Sequence, residues 1–137
     1  MDKIHKTLFI SDIHLGEAHS DIADSFRALF REANEDIDDI YILGDLFDVW
    51  IGDDNHTEFN QTIIHALKWA TDNGITIHYL HGNRDFLIGK KFLAASGCQP
   101  IQDGDVVQLY GDNILLMHGD LLCTNDTRYL KMRCLFQ

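Results

Sequence analysis

Four short apolar runs, rich in β-branched and aromatic residues, recur along this sequence, and each one stops at a small cluster of polar side chains. The runs cover residues 8–10, 40–43, 75–80 and 114–117. Continuous apolar runs of this length are typical of strands that are buried on both faces of a sheet. Segments with helical spacing separate the first three runs. This alternation of strand and helix predicts a layered α/β domain.

Three helices are expected between and after the first three strands. Ser20 or Asp21 is expected to cap the first helix. Thr57 is expected to cap the second, which should end at Gly74. A shorter third helix is predicted over residues 88–95. The inward face of the first helix is predicted to comprise Ile22, Phe26, Leu29, Phe30 and Ala33, and that of the second Phe59, Ile63, Leu67 and Ala70.

The last apolar run belongs to a different local pattern. Residues 106–109 and 114–117 flank Gly111, Asp112 and Asn113, and apolar runs on both sides of such residues indicate a β-hairpin. The chain is therefore expected to begin as β-α-β-α-β and then to turn antiparallel. Its length of 137 residues fits one domain, residues 1–137.

Residues of metal-binding type follow the apolar runs. In open α/β sheets, ligands bind at the carboxyl ends of the strands. Taken singly, each residue has a simpler explanation as a cap, turn or loop residue, but jointly they favour a metal site. Oxygen and nitrogen donors without cysteine suit Mn²⁺, Mg²⁺, iron or Zn²⁺ rather than a soft thiolate site. The candidate ligands are Asp12, His14, Asp45, Asn83 and His118.

The charge balance is strongly acidic. Twenty-two acidic residues oppose eleven basic ones, and the formal net charge is -11. Binding to nucleic acid requires Lys and Arg that contact phosphates, so no nucleic-acid partner is expected. The acidity is explained either by solubility or by carboxylates that bind cations, and composition alone leaves both explanations open.

The order of the motifs adds a family resemblance. D-x-H, then G-D, then G-N-x-[DEH], then an apolar strand before His-Gly resembles the calcineurin-like metallophosphoesterases. The resemblance implies an αββα sandwich with two divalent ions, expected to be Mn²⁺. It implies that Asp12, His14 and Asp45 hold the first ion. It also implies that Asp45 bridges to a second ion, which Asn83 and His118 hold.

An arginine restricts this resemblance to a part of the family. Much of the family has histidine after Gly-Asn, whereas this sequence has Arg84. Guanidinium stays protonated, so Arg84 cannot act as a general acid. It can grip phosphate oxygens in a bidentate manner, and the alternative is a salt bridge to Asp85 or Asp45. The resemblance therefore implies that Asn83 and Arg84 are the catalytic and substrate-binding pair.

Two longer strings, residues 41–54 and 118–126, are similar to one branch of the family. That branch hydrolyses the diphosphate of a UDP-linked, doubly acylated glucosamine in lipid A biosynthesis. The resemblance implies this substrate, with Asp126 and Tyr129 at its head group. It also implies a cytoplasmic protein, peripheral to the inner membrane.

The resemblance covers only an amino-terminal part of that branch. Its helical lid and its later G-H-x-H motif have no counterpart here, so an incomplete domain is expected. Two alternatives stay open: an inactive, truncated remnant that binds metal, and a related metallophosphoesterase with another phosphate ester as substrate. A phospho-accepting receiver domain is disfavoured, because the third strand leads to Asn83 and no Lys follows the later strands.

Overall fold

A parallel sheet forms the centre of the molecule. A computed structural model describes residues 5–32, 36–54, 57–82, 85 and 87–119. The strands β1 (Lys6–Ile10), β2 (Ile37–Leu43), β3 (Thr76–Leu80) and β4 (Gln99–Pro100) pair in this order, each parallel to the next. The first three confirm the predicted order. The sequence did not predict β4, because two residues are too few to show a pattern.

Helices connect these strands and cover the core. They are α1 (Ser20–Glu32), α2 (Glu58–Asp72) and α3 (Lys90–Ser96). Alternate residues of β2 and β3 pack with apolar residues of all three helices in one cluster. Buried members of this cluster include Ile40, Ile42, Ile77, Tyr79, Phe30, Leu67 and Phe92. The sheet therefore presents one face to the helices, as a βαβ arrangement requires.

A row of aromatic rings crosses the opposite face of the sheet. Phe9, Tyr41 and His78 are register partners in β1, β2 and β3. Their ring centroids are 5.2 Å apart for Phe9 and Tyr41, and 4.2 Å apart for Tyr41 and His78. Phe9 is 40% exposed, so the expectation that every strand is buried on both faces is wrong for β1. Among the described residues, β1 pairs only with β2, and it lies at the edge of the sheet.

Local side-chain chemistry explains both ends of α2 but not the start of α1. The Thr57 side chain accepts a hydrogen bond from the Asn60 amide, which confirms it as the cap of α2. Gly74 follows the end of α2 with a φ of 94°, a left-handed conformation that favours glycine. Ser20 and Asp21 lie inside the first turn of α1, because a 3₁₀ turn over Glu17–His19 leads directly into the helix. The prediction that one of them caps the helix is therefore wrong.

The buried face of α1 is rotated from the predicted one. Ile22 is 39% exposed, whereas its neighbour Ala23 is buried together with Phe26 and Phe30. Positions 23, 26 and 30 lie on the same side of a helix, and Ile22 points away from that side and from the core. Ala33 lies outside the described residues.

The predicted hairpin is present and forms a small sheet of its own. β5 (Val106–Leu109) pairs antiparallel with β6 (Asp112–Leu115). Pairing of Leu109 with Asp112 leaves Tyr110 and Gly111 as the turn, with φ of 53° and 87°. Two positive φ values define a type I′ turn, so the turn precedes the predicted residues 112 and 113. Leu115 is 56% exposed, and β6 is therefore not buried on both faces.

Contacts attach this hairpin, and the segment that precedes it, to the parallel sheet. The Tyr110 hydroxyl lies 2.8 Å from Oγ1 of Thr7 in β1. The Ile101 amide donates to the Tyr79 carbonyl at 3.0 Å. In the described part of the chain, no helix combines the length and apolar character of a membrane span.

Candidate metal centre

The loops that follow β1 and β2 run side by side beyond the sheet. The Asp12 amide donates to the Gly44 carbonyl at 3.1 Å, and the His14 amide to the Asp45 carbonyl at 3.0 Å. One residue further on, Leu15 forms an isolated parallel bridge with Phe47. This pairing places Asp12 and His14 alongside Asp45, as the strand-end argument predicted.

The same loops hold three residues in an unusual backbone conformation. Among the described residues, four that are not glycine have positive φ. Three of them are Asp12 at 55°, His14 at 53° and Asp45 at 53°. Such conformations cost about 1–3 kcal/mol each and tend to cluster at functional sites. The backbone is therefore locally destabilised at these three predicted ligands.

Side chains from three loops converge at this point. Asp12, Asp45 and His118 each offer one donor atom, and these atoms all lie within 4.8 Å of one another. The side chains of Asp45 and His118 are only 7% exposed, whereas that of Asp12 is 56% exposed. Nε2 of His14 lies 3.9 Å from both Asp12 Oδ1 and Asp45 Oδ2. Two oxygen and two nitrogen donors at this spacing fit a divalent ion of the predicted kind.

Each histidine has one ring nitrogen that faces the carboxylates. Nδ1 of His118 lies 2.7 Å from the Leu43 carbonyl oxygen and, in the neutral ring, donates to it. Its Nε2 is then free of a proton and faces Asp45 Oδ2, 3.4 Å away. For His14, Nε2 faces the same carboxylate, while Nδ1 lies 3.7 Å from Asp48 Oδ1. A polar partner on the second ring nitrogen is typical of histidines that bind metals.

Charge also favours a cation here. The neighbouring Asp45 raises the pKa of His118 to about 9, although burial of the ring opposes this shift. The carboxylate thus attracts a proton when no other cation is present. A metal ion would replace this proton as the partner of Asp45.

His118 reaches the centre by a route that the sequence did not predict. The strand β6 ends at Leu115, three residues earlier, and does not belong to the parallel sheet. The segment after it is held by the loop before β5, because the Asp103 carboxylate accepts from the His118 amide at 3.0 Å. The amide of Leu116 donates to the Asp105 carbonyl at 2.8 Å. A loop contact, rather than a strand end, positions this predicted ligand.

A further acidic residue, Asp85, belongs to this region but was not among the predicted site residues. Asp85 is fully buried, and its carboxylate accepts hydrogen bonds from the backbone around the ligands. The sequence offered it only as a motif position and as a salt-bridge partner of Arg84. Its long-range backbone partners leave no local signal.

Asn83, Arg84, Asp126 and Tyr129 lie outside the described residues, and their roles stay predictions. The described structure brings together the remaining four candidates, namely Asp12, His14, Asp45 and His118.

The fold and the site define a class of protein. The sequence model of the calcineurin-like phosphoesterases matches residues 5–136, and this chain belongs to that family. The chain is 48% identical over 127 residues to the UDP-2,3-diacylglucosamine hydrolase of Vibrio cholerae, a match that covers 93% of this chain and 52% of that protein. It is also 48% identical over 130 residues to the Pseudomonas putida protein of the same name, covering 95% and 54%. The chain thus spans about half the length of these relatives.

A solved structure supports the same fold. The nuclease MPE of Pseudomonas putida superposes with a TM-score of 0.51 and 19% identity. The match covers 74% of this chain and 49% of the nuclease. Together with the family match, it confirms the predicted metallophosphoesterase-type α/β fold.

Proposed function

We propose that this chain belongs to an enzyme that hydrolyses the diphosphate bond of UDP-2,3-diacylglucosamine in lipid A biosynthesis. The products would be UMP and 2,3-diacylglucosamine 1-phosphate. The observation that carries the proposal is the convergence of Asp12, Asp45 and His118 in a chain that is 48% identical to proteins named for this reaction.

The residues present fit a divalent ion, and we propose that the site would hold two such ions, both Mn²⁺. Oδ2 of Asp45 lies 3.9 Å from Nε2 of His14 and 3.4 Å from Nε2 of His118. One carboxylate therefore faces two separate histidines, which supports the proposal that Asp45 would be a ligand shared by both ions. Bound divalent ions would supply Lewis-acid activation of a phosphoryl oxygen and of a water molecule.

The chain's own residues would bind and orient the substrate. Arg84 would hold a diphosphate oxygen with two parallel N–H donors and would stay protonated throughout the reaction. Asn83 would serve both the second ion and the phosphate. Asp126 and Tyr129 would contact the head group. These four roles rest on the family resemblance alone.

Release of UMP from UDP-2,3-diacylglucosamine tests the proposal. The Mn²⁺-loaded protein is expected to release UMP, and unacylated UDP-N-acetylglucosamine is the matched control substrate. Arg84→Ala should lower turnover strongly while metal content stays normal, and Arg84→Lys, which keeps the charge but loses the paired donors, should recover little of it. Loss of metal in Arg84→Ala would contradict the phosphate role.

A second candidate is a metal-binding remnant without activity. The chain spans about half the length of the curated relatives that it matches. Binding of Mn²⁺ without release of UMP from the lipid would support this candidate. Hydrolysis of bis(p-nitrophenyl) phosphate or of single-stranded DNA, but not of the lipid, would instead indicate another phosphate ester as substrate.

We also propose a location at the cytoplasmic face of the inner membrane, as a peripheral protein. The proposed substrate carries two acyl chains and would reside in the membrane. Cosedimentation with vesicles that contain the substrate, compared with vesicles that lack it, tests this location. The net charge of -11 supports the proposal that nucleic acid is not a partner.

A further inference from the structure

The carboxylate of Asp85 lies buried behind the candidate metal centre and is not one of its predicted ligands. The residue has no exposed surface. A buried carboxylate is strongly unfavourable unless hydrogen bonds replace its hydration. Here each of its two oxygen atoms accepts two hydrogen bonds. Four hydrogen-bond donors around one carboxylate indicate that Asp85 has a specific structural role.

One oxygen of Asp85 joins two loops. Oδ1 accepts from the Asp45 amide at 3.2 Å and from the Gly82 amide at 2.6 Å. Asp45 follows β2, and Gly82 follows β3 and precedes the predicted ligand Asn83. The same atom therefore holds the backbone of both loops.

The two loops touch directly at this point. A Cβ atom added to Gly82 would lie 2.6 Å from the Asp45 amide nitrogen. A Cβ atom added to Gly44 would lie 2.7 Å from the Gly82 Cα. No side chain fits between the loops, so a shift of one loop changes the position of the other.

The second oxygen of Asp85 completes the arrangement. Oδ2 accepts from the Leu46 amide at 2.9 Å and from the Tyr79 hydroxyl. Burial and the nearby carboxylate raise the pKa of Tyr79 well above its ordinary value, which keeps the hydroxyl protonated as a donor. Successive amides, those of Asp45 and Leu46, thus point at one carboxylate.

These hydrogen bonds act on the strained residue itself. Asp45 has a left-handed backbone with φ of 53°, a conformation that persists only where the surroundings fix it. Hydrogen bonds to a charged acceptor are stronger than neutral ones, and two of them hold the amides of this turn. They offset the cost of the strain at the residue that faces both histidines.

We propose that Asp85 is a positioning residue that holds the turn at Asp45, so that the Asp45 carboxylate faces His14 and His118 before any ion binds. Tyr79 fixes the orientation of Asp85 through its hydroxyl. This inference rests on the proposed metal site but not on the proposed substrate.

The chain offers a matched control in Asp53. This carboxylate also accepts from backbone amides, those of Gly89 at 3.0 Å and Phe92 at 3.1 Å, and from Nε1 of Trp50 at 3.1 Å. It holds the start of α3 rather than the turn at Asp45. Asp53→Asn therefore weakens a similar set of hydrogen bonds, because it replaces one acceptor oxygen with an NH₂ group, without acting on the strained turn.

The experiment compares Asp85→Asn, Tyr79→Phe and Asp53→Asn with the unchanged chain. For each protein, Mn²⁺ affinity is measured by calorimetry, and unfolding by urea provides the stability. Amide hydrogen exchange of Leu46 and Gly82 is measured without metal. Visible absorption of bound Co²⁺ reports the geometry of the ligands. All binding is measured at a temperature where the protein is folded.

Asp85→Asn should lower Mn²⁺ affinity by about tenfold or more, as for other residues that orient metal ligands. Tyr79→Phe should lower it less, and both variants should show faster exchange at Leu46 and an altered Co²⁺ spectrum. Asp53→Asn should lose stability but keep the Mn²⁺ affinity and the spectrum of the unchanged chain.

Two results would overturn the proposal. The first is that Asp85→Asn and Asp53→Asn have the same Mn²⁺ affinity and the same rate of amide exchange at Leu46. Asp85 would then be a purely structural residue. If Asp85→Asn does not fold, the same result for Tyr79→Phe decides against it. A chain that fails to hydrolyse the lipid overturns the proposed function alone, because exchange and metal affinity are measured without substrate.

Discussion

Nε2 of His118 lies 3.4 Å from Oδ2 of Asp45, and both side chains are almost fully shielded from solvent. The contact raises the pKa of His118 to about 9, against an ordinary value of 6.5. At neutral pH the metal-free protein therefore carries a protonated ring at the position that a metal ion would need. Metal and proton compete for the same nitrogen.

The first prediction is that Mn²⁺ binding at pH 7 releases a proton from His118. Apparent affinity should rise with pH up to about 9, because the histidine must be neutral to bind metal. Calorimetry in buffers of different ionisation enthalpy measures the proton release. His118→Gln is the control and should release less. Equal proton release by both proteins would contradict the assignment.

The same shift predicts how the metal-free protein responds to pH. The folded-state pKa of His118 is raised, so its contribution to stability is fully present below pH 6.5 and is lost as pH rises through about 9. Urea unfolding with a metal chelator, at several pH values, measures this change. A pH dependence that His118→Gln leaves unchanged would refute the prediction.

A third prediction concerns Asp45. Asp45→Ala should lower metal content more than His14→Ala or His118→Ala, because its Oδ2 faces both histidines. Elemental analysis of the purified variants measures the bound metal. Equal losses in the three variants would argue against a shared ligand.

A fourth prediction concerns the contact between the two loops. Gly82→Ala should destabilise the protein by about 1–3 kcal/mol, because the added Cβ would lie 2.6 Å from the Asp45 amide nitrogen. It should also weaken Mn²⁺ binding. Gly16→Ala is the matched control, since its Cβ would meet its nearest atom at 3.6 Å in an extended backbone. Urea unfolding compares the two, and equal stabilities would show that the loops can separate freely.

A fifth prediction concerns the start of α2. Thr57→Ala should lower the free energy of unfolding by about 1 kcal/mol, because the Asn60 amide loses its acceptor. Thr57→Ser keeps the hydroxyl and should stay close to the unchanged chain. Matching losses in the two variants would show that the methyl group, rather than the cap, stabilises the helix.

Local chemistry explains which parts of the fold the sequence predicted. Thr57 acts on an amide three residues away, and Gly74 adopts a conformation that its own lack of Cβ allows. Such effects can be read from a short window. The buried face of α1 could not be predicted in this way, because Ile22 and Ala23 are both apolar and only the tertiary packing decides which one is buried.

The candidate site was predictable for a topological reason. Parallel strands end at one edge of the sheet, so residues that follow β1 and β2 must come together. Asp12 and Asp45 confirm this. The role of Asp85 could not be predicted, because three of its four partners are backbone amides, and backbone atoms are the same in every residue.

The predicted ligands of this centre belong to two parts of the chain. Asp12, His14 and Asp45 extend from the parallel sheet, whereas His118 follows the hairpin, which is tied to β1 through Tyr110 and Thr7. An ion bound by both parts cross-links them, so ion occupancy and hairpin docking are linked equilibria, and each favours the other by the same factor. Depletion of divalent ions would then loosen the hairpin as well as empty the centre, and the protein would respond to the supply of metal through its own conformational ensemble.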